Sequence, residues 1–134
     1  MERFSEKVYL ELPRPGEDMP VSDQRQLLLA LEERGYENVS IPLPVLRQLY
    51  PLCRQGGITV TLVSREQDWA VTAIEAGDRR ESHYGLAVDY GSTAVVMELV
   101  DMNSGAVIAR EQEVNGQTVY GTDILSRITF AMLP

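Results

Sequence analysis

A single cysteine, Cys53, and a single histidine, His83, set the first limits on this chain. One thiol cannot close an internal disulfide, and no cysteine-ligated iron–sulfur cluster can be built within one chain. One imidazole leaves a zinc site to be made from carboxylates, a poor donor set for that metal. The sequence has no long apolar run and no signal peptide, so no membrane association is expected and a cytoplasmic location is the default. Positive charge is scarce: 12 Lys and Arg stand against 20 Asp and Glu, a formal net charge of −8. That balance argues against a nucleic-acid backbone or an anionic membrane as partner. What is present is 134 residues, 44% hydrophobic and 24% charged, which suits a globular chain of one domain or two small ones.

In the N-terminal part, Val8, Leu10 and Leu12 alternate with Lys7, Tyr9 and Glu11, the pattern of a half-buried strand. Pro13-Arg14-Pro15-Gly16 stops it. Ser22-Asp23 is a helix cap, with Gln26 three residues after Asp23, and Leu27, Leu28 and Leu31 make an apolar stripe. Gly35 suits the position just past that helix. Ile41-Pro42-Leu43-Pro44 reads as extended, and Pro44 opens a second helix with Val45, Leu46 and Leu49 inward. Pro51 predicts a kink or restart in it. Ile58–Val63 and Trp69–Ile74 are β-rich and joined by a hairpin-length connection, with Trp69 a core anchor or strand-edge residue. The expected unit is a small α+β fold, a three-stranded sheet with two helices. The polar stretch Gly77–Ser82 marks the boundary, giving domains 1–78 and 79–134.

The second part is organised around His83–Thr93. Gly85–Val88 is a short apolar strand ending at Asp89, and Tyr90-Gly91-Ser92-Thr93 turns the chain into a second apolar stretch, Ala94–Val100. An acid at a strand end followed by a small-residue turn suits a phosphate and its magnesium ion. Gly91 lets backbone N–H groups approach phosphate oxygens, Ser92 and Thr93 offer hydroxyls, and Asp89 can hold the metal directly or through water. The same residues are common in plain hairpin turns, so pattern alone leaves both readings open. Asn103-Ser104-Gly105 is a turn, Ala106–Glu113 a third strand, and Asn115-Gly116 another turn. A last helix begins near Thr122 or Asp123, with Ile124, Leu125, Ile128 and Met132 as its expected buried stripe. Asp101-x-Asn103-x-Gly105 fails as a calcium loop, because the glycine comes one place early and Gln112 stands where a bidentate Glu is needed. Ser92 has no histidine in defined relation beyond His83, so a hydrolase triad is unsupported. Cys53, on an apolar helix, reads as a small buried side chain.

Beyond the turn, the residues resemble one family, the reductive activators of corrinoid proteins. Asp89-Tyr90-Gly91-Ser92-Thr93 matches the first phosphate loop of their ATPase domain. Leu99, Val100, Asp101 and Gly105 match the turn after it, and Tyr120, Gly121, Asp123, Ser126, Arg127 and Ile128 match a Tyr-Gly-x-Asp and Ser-Arg-Ile signature. A weaker likeness to the linker preceding that domain lies in the strand ending Pro-x-Pro, the Ser-Asp helix start and the Leu-x-x-Leu-x-Pro helix. The resemblance implies that residues 79–134 are a β-hairpin or meander plus helix, the first part of an actin-like (ribonuclease H-like) ATPase domain. It implies ATP and magnesium as cofactors of the full-length parent, with Asp89 on the metal, Gly91, Ser92 and Thr93 around the phosphates, and Asp123 a catalytic candidate for positioning water or metal. It implies an iron–sulfur cluster in the parent's ferredoxin domain and none here, a corrinoid protein as partner, and reduction of cob(II)alamin to methyl-accepting cob(I)alamin. Ser92 replaces the family's usual Thr, and Gly116 stands where Pro is usual. The second phosphate loop and the adenosine motif are missing. The chain is therefore expected to be a fragment or truncated product, inactive alone and self-associating through its C-terminal segment. Alternatives are a kinase-like phosphotransferase of the same superfamily and a non-catalytic module docking a redox or corrinoid partner.

Overall fold

Alternation decides the first strand, β1 (Ser5–Leu10): Val8 and Leu10 are buried, and Lys7 and Tyr9 take the opposite face. The computed structural model describes residues 4–13, 21–66 and 68–133. The expected stop at Arg14–Gly16 lies outside them. Helix α1 (Asp23–Glu32) starts where Ser22 Oγ accepts the Arg25 N–H at 3.2 Å. It ends at Glu32, and just beyond the end Gly35 takes a φ of +88°, open to glycine without steric cost. There the N–H groups of Gly35 and Tyr36 return to the carbonyls of Glu32 and Leu31 at 2.9 and 3.0 Å, satisfying the helix end.

Two expectations for the next stretch are corrected. Leu43 belongs to helix α2 (Leu43–Cys53) rather than to the extended segment, so the helix starts one residue before the expected Pro44, and a proline in the first turn forfeits no helical bond. The helix also runs through Pro51 as one element, so of the kink or restart expected there the restart is ruled out. Pro51 lies in the last turn, where its missing N–H costs only one bond, to the Arg47 carbonyl. A third correction concerns the sheet, which has four strands rather than three. With β2 (Val39–Ser40), β3 (Ile58–Arg65) and β4 (Asp68–Ala76), the order is β1-β3-β4-β2. The strand β2 runs parallel to β4, pairing Val39 with Trp69 and Ser40 with Ala70; two residues are too few to show alternation.

A β-bulge shapes β4. Leu62 pairs with Val71 and Thr61 with Ala73, which leaves Thr72 as an extra residue, exposed, with its hydroxyl on the Thr61 carbonyl at 3.3 Å. The extra residue shifts the pleat by one. Val71 and Ile74, an odd number apart, therefore both face the core, where they pack with Val8, Leu10, Val60 and Leu62. Leu27 and Leu31 of α1 and Leu49 of α2 complete that core, each 1% exposed or less. Burying each such side chain contributes roughly 1.5–3 kcal/mol.

The opposite face of this sheet is covered by the chain's own segment 77–83. Thr59, fully buried, donates to the Gly77 carbonyl at 2.6 Å and accepts the Arg79 N–H at 2.8 Å. Lys7 Nζ bonds Glu75 and the Ser82 carbonyl, and Ser5 Oγ meets His83 Nε2 at 3.0 Å. Arg80 pairs with Asp78 and lies over the Tyr9 ring. The first compact unit accordingly runs over residues 1–83, where the sequence reading divided the chain after Asp78, and the second over 84–134.

The second unit is an antiparallel meander of β5 (Tyr84–Tyr90), β6 (Ala94–Asp101) and β7 (Val107–Val114). Asp101 shapes the β6–β7 turn by accepting the Asn103 N–H at 2.9 Å and the Ser104 hydroxyl at 2.8 Å, and Gly105 takes φ +77°. A 3-10 helix (Gly116–Tyr120) and α3 (Ile124–Met132) follow. The expected buried stripe of α3 is corrected. Ile124, Leu125, Ile128 and Met132 are 50–79% exposed, because the helix packs mainly on the 3-10 turn, with Tyr120 and Phe130 rings 4.9 Å apart. One sheet face is likewise bare, with Leu86, Val88, Tyr90, Met97 and Leu99 all exposed.

Candidate functional site

The β5–β6 turn places four of the five predicted site residues together. Asp89 pairs with Val96 at the end of β5, and its side chain is exposed. The turn closes through the Gly91 N–H on the Ala94 carbonyl at 2.9 Å. A Cβ at Gly91 would sit 2.6 Å from that same carbonyl oxygen, so close backbone approach is what requires glycine here. Ser92 and Thr93 form the exposed tip, and their hydroxyls bond to nothing among the described residues.

Two side chains hold the turn from below. Asn115 is 2% exposed. Its Nδ2 donates to the Gly91 carbonyl at 2.8 Å, its Oδ1 accepts the Gln117 N–H at 2.9 Å, and its own N–H donates to the Thr93 carbonyl at 2.8 Å. Arg127 of α3 donates to the Ser92 carbonyl, to the Gly121 carbonyl at 2.9 Å and to Gln117 Oε1 at 3.3 Å. Sequence reasoning counted Asn115 as a turn residue and Arg127 as part of a motif, and gave neither a role. Nothing local marks them, for their partners on the turn lie 24 and 35 residues away.

Asp123 is not gathered into the turn by any direct bond among the described residues. Its Oδ1 accepts the Ser126 N–H at 2.9 Å and Ser126 Oγ faces the Asp123 N–H, a reciprocal cap on α3. The Ser126 N–H holds the Asp123 carboxyl below the usual carboxylate range. Asp123 thus fixes the start of the helix that carries Arg127.

One face of the meander continues the site. Asp89, Ala87, Val96, Glu98 and Arg110 line a cavity of about 270 Å³, and Arg110 Nη1 meets Glu98 Oε1 at 3.3 Å. An exposed carboxylate such as Asp89, beside a turn of small residues, suits magnesium, which keeps several waters and needs few protein ligands. Among the described residues no three His, Cys, Asp or Glu side chains gather into a metal-binding group. The donors do not suit an iron–sulfur cluster. Cys53 is buried, and burial, reinforced by the Asp23 carboxylate, pushes its thiol up, away from the thiolate a cluster needs. Among the described residues no helix is long and apolar enough to cross a membrane.

Comparison with known proteins gives three findings. Residues 1–81 match the RACo linker region and residues 84–134 the RACo middle region. A solved structure, "Reductive activator for corrinoid,iron-sulfur protein", is similar to this chain with a TM-score of 0.81 and 30% identity, over 97% of this chain and 21% of that one. The "Corrinoid activation enzyme RamQ" of Eubacterium limosum is 36% identical over 58 residues, 43% of this chain and 10% of the relative. This chain therefore spans about a tenth of one relative's length and a fifth of the other's. With the linker region alone covering more than half of its residues, the chain belongs to the RACo family, of which it carries the linker and middle regions.

Proposed function

We propose that this chain is the linker and the opening of the ATPase domain of an actin-like, ATP-dependent reductive activator of corrinoid proteins. The observation that carries the reading is the turn Asp89–Thr93, built with a sterically required glycine, two free hydroxyls and an exposed acid, inside a chain similar over 97% of its length to a reductive activator. In the full-length protein, the Ser92 and Thr93 hydroxyls and the turn's backbone bind phosphate oxygens. Asp89 holds magnesium directly or through its waters. Asn115 and Arg127 keep the turn in place, so its donors need no rearrangement when phosphate arrives. Bound magnesium neutralises charge on the phosphates. ATP binding and hydrolysis make possible the one-electron reduction of cob(II)alamin to cob(I)alamin on the partner corrinoid protein, with the electron supplied by an iron–sulfur domain elsewhere in the full-length protein. The protein works in the cytoplasm.

The test is Asp89→Ala in the full-length protein. ATP turnover and ATP-dependent appearance of cob(I)alamin absorbance are expected to vanish, with the melting temperature unchanged, since the Asp89 side chain is exposed and makes no bond among the described residues. Normal turnover in this variant would remove Asp89 from the site and the reading with it.

A further inference from the structure

Residues 84–134 contain six acids and only two basic side chains, Arg110 and Arg127. A nucleotide triphosphate brought to this acidic unit needs a cation besides its magnesium. Arg127 is already committed, its guanidinium divided among the Ser92 carbonyl, the Gly121 carbonyl and Gln117 Oε1. Arg110 is placed differently. Alternate residues of a strand share a face, and the register sets Asp89 opposite Val96, Ala87 opposite Glu98, and Glu98 opposite Arg110. Asp89 and Arg110 therefore lie on one face and line the same cavity. They are two residues along and two strands across, roughly 12 Å between Cα atoms at ordinary sheet spacings. A magnesium-bearing phosphate chain and an extended arginine can span that gap. The Arg110 side chain is 60% exposed, with one contact to Glu98 at 3.3 Å. An exposed ion pair of that kind is weakly held and leaves most of the five guanidinium N–H donors for a ligand.

We infer that Arg110 is a phosphate-binding residue of the nucleotide site, with Glu98 orienting its guanidinium over the cavity that begins at Asp89. The inference rests on the nucleotide reading of the Gly91–Thr93 turn. It adds a specificity element, since a planar fork of donors recognises phosphate oxygens and ignores an uncharged nucleoside.

The experiment is calorimetric titration of the full-length protein with magnesium-ATP and, separately, with adenosine. Arg110→Gln is expected to weaken magnesium-ATP binding about tenfold or more and to leave adenosine binding unchanged, because only the charge-assisted bond to phosphate is lost. Arg110→Lys recovers part of the loss, as a point charge without the fork. Glu98→Gln, which removes the orienting carboxylate but keeps the cation, weakens binding by no more than about threefold, less than Arg110→Gln. Magnesium-ATP binding unaltered in Arg110→Gln but lost in Asp89→Ala overturns the assignment of Arg110 and leaves the turn as the site. Binding unaltered in both overturns the nucleotide reading, and the role of Arg110 falls with it. Should Arg110→Gln fail to fold, Arg110→Lys decides alone: a few-fold weakening specific to magnesium-ATP supports the assignment, and unchanged affinity overturns it.

Discussion

Replacing Asn115 by alanine removes the buried amide on which the β5–β6 turn rests. Two backbone groups lose their partners at once, the Gly91 carbonyl at 2.8 Å and the Gln117 N–H at 2.9 Å. A buried polar group left unpaired costs about 1–3 kcal/mol. Gln117 is itself exposed, in the first turn of the 3-10 helix, so water replaces part of its loss and its share falls at the low end. The expected total is about 2–4 kcal/mol for the second unit. At roughly 4–8 °C per kcal/mol for a small unit, that is a fall of at least about 8 °C in its melting temperature. Asn115→Asp separates the two contributions. It keeps the acceptor for Gln117 and turns a carboxylate oxygen toward the Gly91 carbonyl, so it is expected to loosen the turn while sparing the 3-10 helix. Differential scanning fluorimetry gives the first number. Hydrogen exchange over residues 88–96 gives the second, with faster exchange there in both variants. An Asn115→Ala protein that melts within about 2 °C of the parent, with exchange over 88–96 unchanged, would refute the clamp, since even one orphaned group predicts more.

The 134-residue chain itself is expected to bind ATP with millimolar affinity or weaker and to hydrolyse none, because one phosphate loop cannot offset the entropy of association; micromolar binding by calorimetry would contradict this. Gly91→Ala is expected to destabilise the second unit by about 1–3 kcal/mol, since the new Cβ meets the Ala94 carbonyl oxygen at 2.6 Å; urea titration measures it. Light scattering on a sizing column is expected to show a dimer or higher oligomer, driven by the bare sheet face (Leu86, Val88, Tyr90, Met97, Leu99) and the exposed stripe of α3, and a clean monomer at tens of micromolar would rule that out. The folded state depresses the Asp123 carboxyl, so its capping contribution is full above the unfolded carboxylate value, about pH 4, and is lost as pH falls through the lower folded value. Fraying of α3 confined to that acid range, followed by NMR amide shifts of Ser126 and Arg127, checks the sign.

The elements most legible in the sequence were those with a local cause. Ser22 and Gly35 bracket α1 because a cap hydroxyl and a left-handed glycine act within one turn of chain. The β5–β6–β7 meander showed in alternating apolar stretches broken by Gly91-Ser92 and Ser104-Gly105. What stayed hidden depended on distant partners. The two-residue β2 exists only through Trp69 and Ala70 of β4, and the bulge at Thr72 only through its register with β3. The stripe of α3 has the period of a buried helix face, and period alone does not supply the surface that buries it. At the candidate site, the turn itself could be read because a glycine and two hydroxyl residues after a strand-ending acid mark a turn locally. The two that hold the turn, Asn115 and Arg127, bond to backbone carbonyls, and a carbonyl carries no residue signature.

Lys7 has a consequence for chemical labelling. It is the only lysine of the chain, its side chain is 9% exposed, and it is tied to Glu75 and to the Ser82 carbonyl. An amine-directed reagent, or a protease specific for lysine, therefore has one internal target in all 134 residues, and the fold keeps it closed. Modification at Lys7 must wait for segment 77–83 to lift from the sheet, so its rate reads the opening equilibrium of that segment and little else. Acylating agents that on most proteins report surface area would act here as a clock for one local unfolding event.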